Sequence, residues 1–198
     1  MEKKLDISVI SPVFNELENL ETFVESVTAV MNSTNMSWEL IIVDDGSNDG
    51  SSKILKKIGH QENIRSILLS KNYGQTTAIQ AGFDNAVGEY FVTLDSDLQN
   101  DPKDIPTLIQ KLINEELDLV VGWRKDRKDN YFFRNLPSIL ANKLIGTITG
   151  VKLHDYGCSL KAYRAEVLKE VKLYGEMHRF IPAWMATKIP ASKISEIE

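Results

Sequence analysis

Tyr90-Phe91-Val92-Thr93-Leu94-Asp95-Ser96-Asp97-Leu98-Gln99 joins an apolar run to a polar turn. The apolar run is near-continuous, the pattern of a strand covered on both faces. It ends at Asp95. Pro102 to Asn114 then reads as a helix with proline near its start. Leu117 to Gly122 reads as the next strand.

The same alternation extends upstream. Ile7 to Ser11 is a short β-rich run ending at Pro12, and Leu17, Leu20, Val24, Val27 and Met31 follow at helical spacing. Glu39 to Val43 is a buried-strand run, stopped by Asp44-Asp45-Gly46-Ser47. Ser51 to Ile58 predicts a short helix and Ile64 to Leu69 a strand. Thr76 to Val87 predicts a helix with Ala78, Ile79, Gly82 and Phe83 on one side. Such alternation implies a parallel sheet with helices on both faces. Ligands of these sheets bind beyond the carboxyl ends of the strands. Asn15-Glu16, Asp44-Asp45 and Asp95-Ser96-Asp97 lie at three of those ends.

The pattern changes after residue 122. Trp123 to Arg134 is basic and aromatic, with Arg124, Lys125, Arg127, Lys128 and Arg134 around Tyr131, Phe132 and Phe133. Leu136 to Ile148 predicts a helix, His154 to Cys158 a loop, Ser159 to Arg164 a strand and Ala165 to Val171 a helix. Lys188 to Glu198 alternates like a strand that stops at the chain end. We expect one domain over the 198 residues, truncated before further sequence.

Residues 1–119 carry a net charge of −11 and residues 120–198 one of +6. Uneven solvated faces explain this, as does a second part that meets a phosphate or a membrane surface. No run of 18 apolar residues is present, so no membrane span is expected. The first residues lack the apolar stretch of a signal peptide. Cys158 is the only cysteine, which rules out an internal disulfide and fits a reducing compartment.

Asp95 and Asp97, two residues apart at a strand end, can point the same way. Like charges that close need a cation or a proton. Carboxylate oxygens select hard ions such as Mg²⁺ or Mn²⁺, which also take substrate phosphate oxygens. Gln99 offers a neutral oxygen two residues on. The same residues also make a polar turn capping the next helix. Asp44-Asp45-Gly46-Ser47 could accept a nucleobase N–H or a ribose hydroxyl, or form a turn and helix cap. There is no P-loop lysine motif, no Gly-x-Gly-x-x-Gly turn after the first strand and no nucleophile elbow. His60, His154 and His178 show no metal spacing and are expected to be surface or packing residues.

Ser11-Pro-Val-Phe-Asn-Glu, Val43-Asp-Asp-Gly-Ser, Asn72-Tyr-Gly-Gln, Leu94-Asp-Ser-Asp-Leu-Gln and Asp155-Tyr-Gly-Cys-Ser-Leu-Lys-Ala-Tyr-Arg occur in that order. Together they resemble an inverting family 2 glycosyltransferase, over about residues 6 to 190. The branch it most resembles is the polyprenyl-phosphate sugar transferases, dolichyl and undecaprenyl. The resemblance implies a GT-A fold, with a Rossmann-like, mostly parallel central sheet. It assigns residues 1–122 to a nucleotide-sugar-binding half and 123–198 to an acceptor-side half. Pro12, Phe14, Glu16, Asp45, Asp95 and Ser96 would line the nucleotide site. Phe14 stands where the family usually has Tyr, which removes a hydroxyl contact. Asp97 and Gln99, with Asp95, would hold Mg²⁺ or Mn²⁺ on the diphosphate. Arg124, helped by Arg134, would meet the acceptor phosphate, and Asp155 holds the acceptor-side carboxylate position.

The implied reaction moves a sugar from a UDP- or GDP-sugar to a polyprenyl phosphate with inversion. A sugar-hydroxyl acceptor would need Asp155 as general base. A phosphate acceptor is already anionic and needs cations more, so Asp155 could instead orient Arg or Lys groups. A module that binds sugar nucleotides without turnover is the competing class. The expected place is the cytoplasmic face of a membrane. No nucleic-acid partner is expected, and self-association stays open.

Overall fold

The computed structural model describes residues 5–124, 146–147, 149–168 and 171–198. The basic stretch from Lys125 to Arg134 and most of the helix expected over 136–148 lie outside these residues. Seven strands form one sheet: β1 (Leu5–Val13), β2 (Trp38–Asp44), β3 (Ile64–Leu68), β4 (Gly88–Thr93), β5 (Leu119–Gly122), β6 (Lys161–Arg164) and β7 (Ile194–Ile197). Their order is β3-β2-β1-β4-β6-β5-β7. β1 pairs in parallel with β2 and β4, and β2 with β3. β5 and β7 are also parallel to each other. β6 runs antiparallel to both β4 and β5.

Ile7 to Val13 are all buried. Successive strand residues point to opposite faces, so both faces of β1 are covered. The helices follow the expected periodicity. α1 (Leu20–Asn32) buries Leu20, Phe23, Val24, Val27 and Met31. α2 spans Ser51–Ile58. α3 (Gln75–Asn85) buries Ala78, Ile79, Gly82 and Phe83 and packs on β1 and β2. α4 (Ile105–Asn114) packs on β5 and β6. Short α5 (Ala165–Leu168) and α6 (Ile181–Met185) follow.

Several boundaries shift for local reasons. Leu17 precedes α1, because the Leu20 amide closes a turn on the Glu16 carbonyl. Pro102–Asp104 is a 3₁₀ turn, with the Asp101 side chain accepting the Lys103 amide. The strand expected from Ser159 begins only at Lys161. Of Lys188 to Glu198, only Ile194–Ile197 pairs as strand, preceded by a 3₁₀ turn at Ala191–Lys193.

Chain order is β1, β2, β3 to one side, then back across β1 to β4. That reversal opens a crevice at the carboxyl end of the sheet. Strands from both sides of residue 122 share this sheet, with β6 inserted between β4 and β5.

Candidate active site

The loops after β1, β2, β3 and β4 meet at the crevice. A cavity of about 330 Å³ is lined by Pro12, Val13, Phe14, Glu16, Asp45, Asn72, Gly74, Gln75, Asp95, Ser96 and Asp97. Six of the expected nucleotide-site residues and Asp97 therefore come together.

Backbone bonds set the loops. The Asp45 amide donates to the Val13 carbonyl at 2.8 Å, and the Ser47 hydroxyl accepts the Asn15 amide at 2.8 Å. Asn15 has φ 57°, the left-handed region, and its Oδ1 accepts the Asn48 amide at 2.9 Å. Gly46 has φ +74°, and a Cβ there would lie 2.4 Å from the Lys71 backbone. Only glycine lets the β2 and β3 loops approach this closely. Asp45 is buried, and its two oxygens accept the amides of Tyr73 at 2.7 Å and Gly74 at 2.8 Å. It thus holds the third loop against the second. The lone pairs left over remain available to a ligand.

Asp95 accepts from the Gln75 amide group at 2.8 Å, and its own backbone N–H donates to the Ser159 hydroxyl at 3.4 Å. Burial raises its carboxyl above the usual range, and neighbouring Asp97 raises it further. A side-chain hydrogen bond between Ser159 and the carboxyl and the charges of Lys161 and Arg124 act the other way. Asp97 accepts the Gln99 amide at 3.0 Å, across Leu98 at φ 60°. A branched side chain at that φ is strained, and the turn carries that strain beside the two carboxylates.

Gln99 lies elsewhere. Its side chain is exposed and lines a second cavity of about 270 Å³ with Asn100, Asp101, Asp104, Trp123, Arg124 and Cys158 among others. Asp97 and Gln99 thus share a turn but not a cavity. Among the described residues, no cluster of three or more His, Cys, Asp or Glu side chains forms a protein-only metal cage.

Arg124 and Asp155 form an ion pair, Nε to Oδ2 at 2.9 Å and Nη2 to Oδ1 at 3.4 Å. Asp155 Oδ1 also accepts the Gly157 amide at 3.1 Å. Burial alone would lower the Arg124 pKa; the bond to Asp155 and the charges of Asp155, Cys158 and Asp95 together overcome this, and the net shift is upward. Behind the pair lies Lys161, fully buried, its ammonium donating to the Cys158 carbonyl. Burial pulls its pKa down to about 8. Burial also pushes the Cys158 thiol up. Arg134 lies outside the described residues.

Two of the three histidines, His154 and His178, make side-chain contacts. His154 stacks on Trp123 with ring centroids 4.2 Å apart. His178 Nδ1 lies 2.6 Å from the Thr76 hydroxyl. Sequence reasoning gave no role to Gln75, Ser159 or Lys161. Gln75 lies in Asn72-Tyr-Gly-Gln, Ser159 and Lys161 lie in the Asp155 to Arg164 motif, and Lys161 is a charge between Leu160 and Ala162, a readable signal.

Comparison with known proteins fits this geometry. The family model described as Glycosyl transferase family 2 matches residues 8–172. Dodecaprenyl-phosphate galacturonate synthase of Rhizobium johnstonii is 54% identical over 197 residues, covering 98% of this chain and 58% of that protein. Undecaprenyl-phosphate 4-deoxy-4-formamido-L-arabinose transferase of Salmonella paratyphi A is 41% identical over 192 residues, covering 93% and 58%. The chain thus spans a little over half the length of these relatives. Glucosyl-3-phosphoglycerate synthase of Mycobacterium tuberculosis, solved with Mn²⁺, UDP-glucose and phosphoglyceric acid, has TM-score 0.75 at 20% identity, covering 97% of this chain and 69% of that one. Mannosyl-3-phosphoglycerate synthase of Rubrobacter xylanophilus has TM-score 0.79 at 12% identity, covering 97% and 65%. Those two likenesses show the fold, a GT-A-like one with a mostly parallel sheet. With the ordered motifs, the strand-end cavity and a family match over most of its length, the chain belongs to glycosyl transferase family 2.

Proposed function

We propose that the protein transfers a sugar from a nucleotide-diphosphate sugar to a polyprenyl phosphate, with inversion at the anomeric carbon. The observation that carries this is the pairing of two sites. A carboxylate-rich crevice at the strand ends lies beside a buried-edge Arg124–Asp155 pair whose charge reaches Asp95. The relatives' polyprenyl-phosphate substrates support the acceptor. Residues 1–122 would serve the donor and 123–198 the acceptor, although both feed one sheet.

Asp95 and Asp97 fit a hard divalent ion, Mg²⁺ or Mn²⁺. Two neighbouring carboxylates in one cavity repel until a cation joins them, and the remaining ligands would come from the diphosphate. When bound, such an ion supplies charge neutralisation on the departing diphosphate. Pro12, Phe14, Glu16, Asp45 and Ser96 would hold the nucleoside, and Gln75 orients Asp95. Gln99, on the other side of the turn, fits the acceptor side better than the metal.

A phosphate oxygen attacks the anomeric carbon, and the nucleoside diphosphate leaves on the opposite side. A phosphate monoester is already ionised near neutral pH, so no base is required. Arg124 positions it, with Arg134 as a helper. Asp155 orients Arg124: both its oxygens already accept N–H donors. That favours orientation over general-base work, and so disfavours a sugar-hydroxyl acceptor. A lipid acceptor would bring this domain to the cytoplasmic face of a membrane. No helix among the described residues is long and apolar enough to cross one.

The test begins with calorimetric titration of UDP, GDP and their sugar conjugates, each with Mn²⁺, Mg²⁺ or EDTA. Metal-dependent binding of one nucleotide is expected and names the donor base. Labelled sugar transfer to undecaprenyl phosphate by the intact protein follows. Absence of binding in every condition would overturn the donor site, and binding without transfer would leave a sugar-nucleotide-binding module.

A further inference from the structure

Arg124 and Asp155 stand where no strand holds them. β5 ends at Gly122 and β6 begins at Lys161. Their mutual geometry therefore depends on what grips the two neighbouring segments. One residue before each charged group sits an aromatic ring, Trp123 and His154, and the two rings stack at an interplanar angle of 14°.

β7 grips both segments. The Trp123 amide donates to the Ile197 carbonyl at 2.7 Å, extending the β5–β7 ladder in which Val121 faces Glu196. Glu196 Oε2 accepts the His154 amide at 2.8 Å, and Oε1 bonds the His154 ring at Nδ1. One carboxylate thus fixes both the backbone and the ring of the residue next to Asp155. The ring in turn meets the residue next to Arg124.

We propose that Glu196 is a positioning residue for the Arg124–Asp155 pair, acting through His154 and Trp123. This rests on the reading of that pair as the acceptor-phosphate site. Glu196 lies beyond the family match, which ends at residue 172. Its contribution to folding is small, because ionic contacts with a partly exposed partner are weak. Its contribution to position is larger, since displacing a reacting group by about 1 Å can cost about 100-fold in rate.

The experiment is steady-state kinetics of Glu196→Ala and Glu196→Gln in the intact protein, with the acceptor and donor KM measured separately. Glu196→Ala should lower kcat/KM for undecaprenyl phosphate about 10- to 100-fold, with donor KM within about twofold. Glu196→Gln should recover most of this, because its amide oxygen accepts the His154 amide and its NH₂ donates to neutral Nδ1. In an Arg124→Ala background, Glu196→Ala should change kcat/KM less than about threefold, because the group it positions is gone. Equal losses in both backgrounds, equal rises in both KM values, or a Gln variant as poor as Ala would overturn the proposal. If Glu196→Ala fails to fold, His154→Leu carries the same test: it removes the stack and keeps the backbone bond.

A second readout needs no turnover. In a protein of these 198 residues with Trp38 and Trp184 replaced by Phe, Trp123 supplies the indole signal. Its emission, quenched by the stacked imidazole, should rise in Glu196→Ala. Unchanged emission would overturn the clamp. A changed emission in a protein that transfers no sugar to any polyprenyl phosphate would instead overturn the acceptor reading and leave the clamp standing.

Discussion

Asp97 and Arg124 sit at opposite ends of the proposed reaction, so their variants should separate. Asp97→Ala should remove metal-dependent donor binding in calorimetry while the thermal midpoint stays near wild type. Arg124→Ala should raise acceptor KM roughly 10-fold or more, since hydrogen bonds to charged groups contribute about 1.5–3 kcal/mol. Donor affinity should hold. Lys161 tests burial instead. Its pKa is pulled down from 10.5 to about 8 in the folded chain. Between those values the unfolded chain binds more protons, so unfolding free energy gains from this group as pH rises through the window. Below about pH 8 the folded state carries the full cost of a buried ammonium. Lys161→Met should remove that pH-dependent gain, on the order of 1–3 kcal/mol. Urea unfolding of both proteins at pH 7 and pH 10 reads the difference. The variant also strips a positive charge from the surroundings of Asp95, so metal-dependent nucleotide binding should fail at a higher pH on acidification.

At the level of elements, α3 carries Gln75 to Asp95 and is set by its contact with β1. Gly82 permits that contact. A Cβ there would meet the Ile10 side chain at 2.3 Å, and Ile10 is fully buried on a central strand. Gly82→Ala gains about 1 kcal/mol of helix propensity. Overpacking costs about 1–3 kcal/mol and should win, because a β-branched neighbour in a closed core has nowhere to move. Chemical denaturation should show a net loss, with donor affinity weakened through Gln75. The helical spacing of Ala78, Ile79, Gly82 and Phe83 was readable in the sequence. The requirement for no side chain at Gly82 was not, because it depends on which strand the helix crosses. Similarly, a strand over Ser159 to Arg164 was legible, but its direction was not. Its neighbours β4 and β5 are distant in sequence, and a short strand pattern looks alike in either orientation.

Over the whole molecule, the proposed lipid-phosphate acceptor would give the excess of positive charge after residue 119 an anionic partner. Binding to vesicles containing anionic lipid should therefore weaken as salt rises from roughly 50 to 300 mM, as surface charge is screened over a shorter distance. Co-sedimentation measures this. Nucleotide binding through the carboxylate crevice should change less over the same range.

Local chemistry by itself determined the α/β alternation, the strand ends that carry Glu16, Asp45 and Asp95, and the family. Strand and helix periods, turn residues and ordered motifs are written in neighbouring positions. Only tertiary structure decided the rest. It turned Asp45 toward the third loop, divided Asp97 and Gln99 between two cavities, joined Arg124 to Asp155 and set Glu196 behind them. Each of these depends on segments tens of residues apart, or on which side of a turn a side chain falls. Those relations arise when the sheet closes, and no local pattern encodes them.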